Sequence, residues 1–378
     1  MNFELTEEQK AWKEKARKFA EERLAPVQKK NRERGEFDRE IIREMGKLGF
    51  LGTLIPPEYG GSNAGFLNTV LFIEELVKVS PVYGLVPMQV MVGPGLAILR
   101  HGTKEQKEKY LTGMVVGDIA TCFGSTEPGC GSDVAAMLST AVEKDDHFLL
   151  NGTKTWITGA CVADAGLYTV YTDKEKKNRG MSNFIVEHNR PGVSTIEIDE
   201  LGLTGMGTGE VAFQDVKIPK ENMLGNRGDG YRDLMEELGE TRICAATRAL
   251  GLMGACLEEC INFFKECKEA GQKVTNLQSI QARIAEMHVN HEAAKMLIYQ
   301  AAINKDRGIG TPVEVATAKY FAGEASVKAA EVAMELRAAY GFPISLRLER
   351  YMRDSRAFPI TEGTSNILRV IISGRLLG

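Results

Sequence analysis

Apolar and polar positions alternate along this chain with two different periods. Near the start, Trp12, Ala16, Phe19, Ala20 and Leu24 recur every three or four residues, the spacing of one helical face. Thr6 and Gln9 supply a capping box ahead of them, and Pro26 is expected to stop the helix. GFLGTLIPPEYGG (49–61) is a turn-rich break, after which helical patterns resume over 67–79 and 105–110. Between 119 and 219 the pattern changes: FLLNG, KTWIT, GLYTVYT, NFIVE and VAFQDVKIP are short β-rich runs separated by Gly, Asp, Asn and Pro. Helical spacing returns after Gly230, with Leu277, Ile280, Ile284, Met287, His291, Ala294 and Ile298 on one stripe. Thr311, Pro312 and Glu314 combine a cap, a first-turn proline and a third-position glutamate, which opens a further helix.

The order predicts a mostly α protein with a central β domain: a helical domain over 1–117, a small β-barrel or sandwich over 118–225, and a C-terminal four-helix bundle over 226–378. A simple alternating βα sheet is excluded, and no strand–GxGxxG–helix unit is present for dinucleotide binding. The 378 residues carry 47 basic and 51 acidic side chains, interspersed, so neither nucleic acid nor a membrane surface is expected as a partner. No apolar run approaches the ~18 residues of a membrane span, and the start lacks a secretory core, so a cytoplasmic location is expected. Seven cysteines form no CxxC pair. Cys256 and Cys260 share a helical face, but buried reduced thiols are the better reading and no metal is expected.

Two stretches carry chemistry on their residues alone. In CFGSTEPGCGSDV (122–134), Ser125, Thr126 and Ser132 place hydroxyls beside Gly129 and Gly131, whose permissive backbones let amides converge on an anion. A plain surface turn uses the same residues. Trp156, in NGTKTWIT (151–158), reads by itself as a core aromatic.

These two stretches and RYMRDSRAFPITEGTSNI (350–367), in this order and spacing, resemble the acyl-CoA dehydrogenase family. The likeness spans essentially the whole chain, since EEQK near the start and IPPEYGG (55–61) also look like family landmarks. It implies FAD as cofactor, with Phe123, Ser125, Thr126 and Ser132 on the flavin ring and pyrophosphate, and Ser132 also near the thioester. It sets Trp156 and Ile157 against the isoalloxazine, aims the Thr158 hydroxyl at the flavin atom that receives hydride, and adds Thr364 and Asn366 to the cofactor contacts. Glu362 looks like the family base that removes the α-proton, with Gly363 beside the substrate. Some members carry the base where this chain has Thr241, which cannot serve; Arg242 resembles the arginine that holds the pantetheine arm.

The resemblance also implies a homotetramer, a dimer of dimers in which a neighbouring subunit reaches the nucleotide, and an electron-transferring flavoprotein as acceptor. Here the reaching segments depart from the family pattern: Lys268 stands in a stretch (267–271) without arginine or phenylalanine, and Glu335 and Ala339 replace a glutamine and a glycine. A carboxylate and added Cβ atoms there predict a looser hold on the diphosphate.

For the substrate, YGLVPMQVMVGPGL (83–96) corresponds to the family's acyl-pocket helix and is apolar; Met88 and Met91 suit an adaptable lining and equally suit the helix core. STAVEKDDHFLLNGTKTWI (139–157) is nearest the glutaryl-CoA branch, whose members use an arginine in that helix; none occurs between Tyr83 and Gly95. An unpaired buried carboxylate is disfavoured, so a short, branched or cyclic apolar acyl-CoA, such as a cyclohexane-carboxyl type, is expected. Two other readings share the fold: an FAD-poor, non-catalytic partner subunit, and the same site run as an enoyl-CoA reductase.

Overall fold

The computed structural model describes residues 4–28, 37–343 and 346–378. Helix α1 (Glu7–Phe19) opens on the expected box: the Thr6 hydroxyl accepts the Gln9 N–H, and the Gln9 side chain accepts the Thr6 N–H. Pro26 does not stop the helix, as the sequence had suggested. Ala20–Leu24 widens into a π turn, where the Ala25 N–H donates to the Ala20 carbonyl, and helix continues to residue 28. The wider turn shifts the hydrogen-bond register just ahead of the residue that has no N–H to give.

Helices α2 (Glu40–Lys47), α3 (Gly65–Val79), α4 (Leu96–His101) and α5 (Lys104–Val116) complete the first unit, with a π-helical segment, Met88–Gly95, leading into α4. The start of α3 is capped from afar, since the Asp306 carboxylate accepts the Phe66 and Leu67 N–H groups at 2.6 and 3.0 Å. That contact ties the first unit to the last.

The middle unit is one connected sheet of β1 (Thr121–Gly124), β2 (Thr140–Glu143), β3 (His147–Ile157), β4 (Ala165–Tyr171), β5 (Met181–Glu187), β6 (Val193–Glu197), β7 (Gly209–Pro219) and β8 (Met223–Leu224). Its path is β6-β7-β3-β2-β4-β5-β8, and β1 pairs in parallel with β4. FLLNG and KTWIT, read as separate runs, form the single strand β3 through Gly152. The sequence missed β1, β2, β6 and β8. These are short, and β6 is exposed along most of its length, so none shows a clear alternation of buried and exposed positions. Phe148, Leu150, Tyr168, Phe184, Val211 and Phe213 fill a core that belongs to this sheet.

The last unit packs α6 (Gly230–Glu269), α7 (Gln278–Asp306) and α8 (Pro312–Arg337) side by side, with α9 (Leu348–Ser355) on α8 and α6 and α10 (Ser365–Leu377) on α8. Leu277, placed on the α7 stripe from sequence, precedes the helix and is exposed, whereas Met287, Ala294 and Ile298 are buried as expected. Thr311 caps α8 with the reciprocal Glu314 contacts. Helix α6 starts on the sheet: a Cβ at Gly230 would lie 2.7 Å from the Ser182 Cα, so only glycine lets the helix approach this closely. From there it runs between the sheet and the first helical unit, which places its first turns beside the loop after α9.

Candidate active site

One cavity of about 780 Å³ opens where the three units meet. It brings together Phe123, Ser125, Ser132, Trp156, Ile157, Thr158, Arg242, Glu362 and Gly363, residues singled out from sequence and separated by up to 240 positions.

The sheet side of the cavity is held by a buried ion pair. Lys154, wholly buried in β3, places its Nζ 2.8 Å from Glu127 Oε1 and donates to the Ser125 carbonyl at 3.2 Å. Glu127 in turn accepts the Leu138 and Ser139 N–H groups at 2.5 and 3.0 Å. Its neighbouring lysine and these donors hold the Glu127 carboxyl below the usual carboxylate range against the effect of burial, while burial pulls the Lys154 amine down. The pair thus joins the two motifs, CFGSTEPGCGSDV and NGTKTWIT. It was not anticipated from sequence.

Trp156 is not a core residue. The pairing of β3 with β7 slips between Lys154 and Ile157, one extra residue on β3 opposing the stretch from Val211 to Gly209. Trp156 occupies that bulge with φ of 59° and leaves its side chain 59% exposed against the cavity. A strained backbone that turns a large aromatic outward onto a cavity suits a planar partner. Ser125 and Thr158 flank it with hydroxyls, and the Cβ positions of Gly129 and Gly131 meet nothing within 4 Å, leaving room for a bulky polar group.

Across the cavity, Glu362 sits on the loop between α9 and α10 with φ of 56°, followed by Gly363 at 95°. Two left-handed residues in succession turn the carboxylate inward, a conformation that is strained for glutamate and free for glycine. Three side chains hold it. The Thr241 hydroxyl donates to Glu362 Oε2 at 2.5 Å, Arg242 Nε donates to the Glu362 carbonyl at 2.9 Å, and Lys319 Nζ donates to the Gly363 carbonyl at 2.6 Å. Burial lowers the Lys319 amine to about 8 and lowers Arg242 as well, with Glu362 opposing in both. Thr241, dismissed from sequence because it cannot act as a base, is a hydrogen-bond partner of the carboxylate that can.

Other residues named from sequence lie outside the lining of this cavity. Met88 and Met91 lie in the core and do not line the cavity; the Met91 sulfur accepts from Thr53 Oγ1 and the Leu54 N–H. The residue of this π-helical segment that lines the cavity is Gln89. Thr126 lies behind the lining and accepts the Thr155 N–H through its carbonyl. Thr364 caps α10, accepting the Ile367 N–H, and the Asn366 side chain takes a hydrogen bond from Arg369. Lys268, Glu335 and Ala339 are exposed and away from the cavity of their own chain, with Glu335 paired to Arg283.

Family models for the acyl-CoA dehydrogenase N-terminal, middle and C-terminal domains match residues 6–118, 122–216 and 228–377. The chain belongs to the acyl-CoA dehydrogenase family. It is 39% identical to a glutaryl-CoA dehydrogenase of Desulfococcus multivorans, over 100% of this chain and 98% of that protein. It is 38% identical to the caffeyl-CoA reductase–Etf complex subunit CarC of Acetobacterium woodii, over 99% of each. Among solved structures, a glutaryl-coenzyme A dehydrogenase in complex with glutaryl-CoA superposes with a TM-score of 0.97 at 39% identity, covering 100% of this chain and 97% of that one. The match runs through all three units of this acyl-CoA dehydrogenase family member, so its cavity lies at a junction the family shares.

Proposed function

We propose that this protein is an FAD-dependent acyl-CoA dehydrogenase that converts a short acyl-CoA to its enoyl-CoA, with Glu362 taking the α-proton. The carrying observation is the carboxylate of Glu362, turned inward by two left-handed residues into the cavity that Trp156 and Thr158 also line. FAD, when bound, supplies the acceptor for the hydride that leaves the β-carbon. Phe123, Ser125, Trp156, Ile157 and Thr158 are the residues to hold its ring, and Ser132 and Arg242 those to place the thioester.

The Thr241 hydroxyl fixes Oε2 of the base, which leaves Oε1 to receive the proton as the α-carbon–hydrogen bond breaks. Arg242 and Lys319 grip the two carbonyls of the loop, so the carboxylate cannot swing away when the substrate enters.

The acyl group proposed is short and lacks a terminal carboxylate. Residues 83–95 contain no arginine, and the buried Glu237 of α6 lies beside Gly93, close to Phe123. A second carboxylate would enter a region that already holds a carboxyl group. Reverse flux, reduction of an enoyl-CoA, is favoured as a second reading by the likeness to CarC, and an electron-transferring flavoprotein is the proposed electron partner. Exposed apolar side chains on the last unit, including Tyr340, Phe342, Val370 and Leu377, support assembly into a homotetramer.

The test is the visible spectrum of the purified protein, titrated without oxygen with a panel of acyl-CoA thioesters. Bleaching of a flavin band by a short acyl-CoA is expected. A flavin-loaded protein that no thioester bleaches, and that no enoyl-CoA reoxidises after reduction, would overturn the proposal.

A further inference from the structure

We propose that the far end of the acyl pocket receives a positively charged group, so that the thioester this protein handles carries an ammonium at the end of a short acyl chain. The proposal rests on the dehydrogenase reading above and specifies its substrate.

Asp233, Glu237 and Glu240 follow one another at four- and three-residue steps on α6, which puts three buried carboxyl groups along one helical face. The outer two have cations. Asp233 pairs with Arg232 at 2.9 Å and faces His101 at 3.8 Å; Glu240 pairs with Arg100 and, at 2.7 Å, with Lys305. Glu237, between them and only 4% exposed, makes no ion pair among the described residues, and its Oε1 has no hydrogen-bond partner.

The position of that oxygen is known from its neighbours. A Cβ built on Gly93 would lie 3.1 Å from Glu237 Oε1 and 2.8 Å from the ring of Phe123, which lines the cavity. Gly93 thus removes the one side chain that would stand between the carboxyl group and Phe123. Gln89, four residues earlier on the same π segment, lines the cavity too; it is 3% exposed, and its Oε1 is likewise unpartnered. Gln89 Oε1 on the cavity lining and Glu237 Oε1 beside Gly93, behind Phe123, are thus two buried oxygens without hydrogen-bond partners. Gln89 Oε1 accepts hydrogen bonds, and the Glu237 carboxyl group does so once it gives up its proton, which selects a ligand that donates and is positive.

Charge around the pocket agrees. Burial raises Glu237 to about 8, with Glu362, Glu240 and Asp233 adding to the effect and only Arg100 opposing. Lys305, His101 and Arg232 are engaged by the flanking carboxylates, and Arg242 and Lys319 by the Glu362 loop. A ligand ammonium would provide the missing cation, letting Glu237 ionise, whereas a terminal carboxylate would face three acids.

Binding to the FAD-loaded protein tests this, by calorimetry with matched pairs: 4-aminobutyryl-CoA against pentanoyl-CoA, and 5-aminopentanoyl-CoA against hexanoyl-CoA. Each pair differs by an ammonium in place of a methyl group. At least one ammonium thioester is expected to bind ten-fold or more tighter than its partner. Glu237→Gln should abolish that preference while the neutral thioester binds at least as well, and its unchanged circular dichroism would show the fold intact. Should the variant fail to fold, wild type alone decides, since the preference must grow as pH rises through the Glu237 titration. Equal or tighter binding of the neutral partners in both pairs overturns the proposal, as does a preference that survives in Glu237→Gln. Flavin bleaching by the neutral thioesters without any ammonium preference would sink this inference and leave the dehydrogenase reading standing. Tight binding of an ammonium thioester with no bleaching would do the reverse.

Discussion

The cavity has two walls that differ in how they are built. On the sheet side, Ser125, Trp156 and Thr158 lie on two contiguous motifs clamped by the buried Glu127–Lys154 pair, in which each charge has the other as its partner. At the end proposed for the acyl group, Gln89 and Phe123 line the cavity with Glu237 behind them beside Gly93, all from separate segments, and Gln89 Oε1 and Glu237 Oε1 have no partner. A fully satisfied network is rigid and suited to a ligand that never changes. An unsatisfied one is completed only by its ligand, and so marks where specificity lies.

The largest effect that would break the contrast is expected at Lys154. Lys154→Met leaves Glu127 buried without its cation, and unfolding measurements should show a loss of about 3–5 kcal/mol. Adding Glu127→Gln should restore part of it, because the stranded charge is then gone. A full loss in the double variant would mean that lysine packing, not the pair, holds the sheet wall.

Glu237 should give the next effect, in the pH dependence of stability. Between the ordinary carboxyl value of 4.5 and the folded-state value of about 8, the folded protein keeps a proton that the unfolded chain has shed. Stability should therefore fall as pH rises through that window, by at most about 1.4 kcal/mol per pH unit. The Glu237→Gln variant should be flatter over the same range. Identical slopes would show that the acyl end is not the strained wall.

Smaller changes sharpen the sheet side and the base. Trp156→Ala should weaken FAD binding roughly ten-fold, the scale of about 1–1.5 kcal/mol for one aromatic contact. Thr241→Val should slow flavin reduction by a factor of about three to ten, the worth of one hydrogen bond of about 0.5–1.5 kcal/mol, with little change in thioester affinity. A Thr241→Val variant altered in affinity alone would remove Thr241 from the positioning of Glu362.

The same contrast explains what could be read from the chain. The three-unit order was legible because helical and strand periods switch at recognisable places, and the sheet-wall residues were legible because they are adjacent in sequence. Trp156 was legible only by resemblance, since no local signal announces the bulge that turns it outward. For Met88 and Met91 the sequence left pocket lining and helix core both open, and the structure puts them in the core while Gln89 faces the cavity. Glu237 and Thr241 were missed for another reason. Their roles depend on a loop more than 100 residues away and on which neighbours lack a cation, neither of which a local pattern carries.

The most direct test of the central claim is anaerobic single-turnover flavin reduction by a short acyl-CoA, compared between wild type and Glu362→Gln. An amide cannot take the α-proton, so the variant should bind FAD and thioester normally and reduce its flavin about 10²–10⁴-fold more slowly. Reduction at the wild-type rate would contradict the assignment of Glu362 as the base.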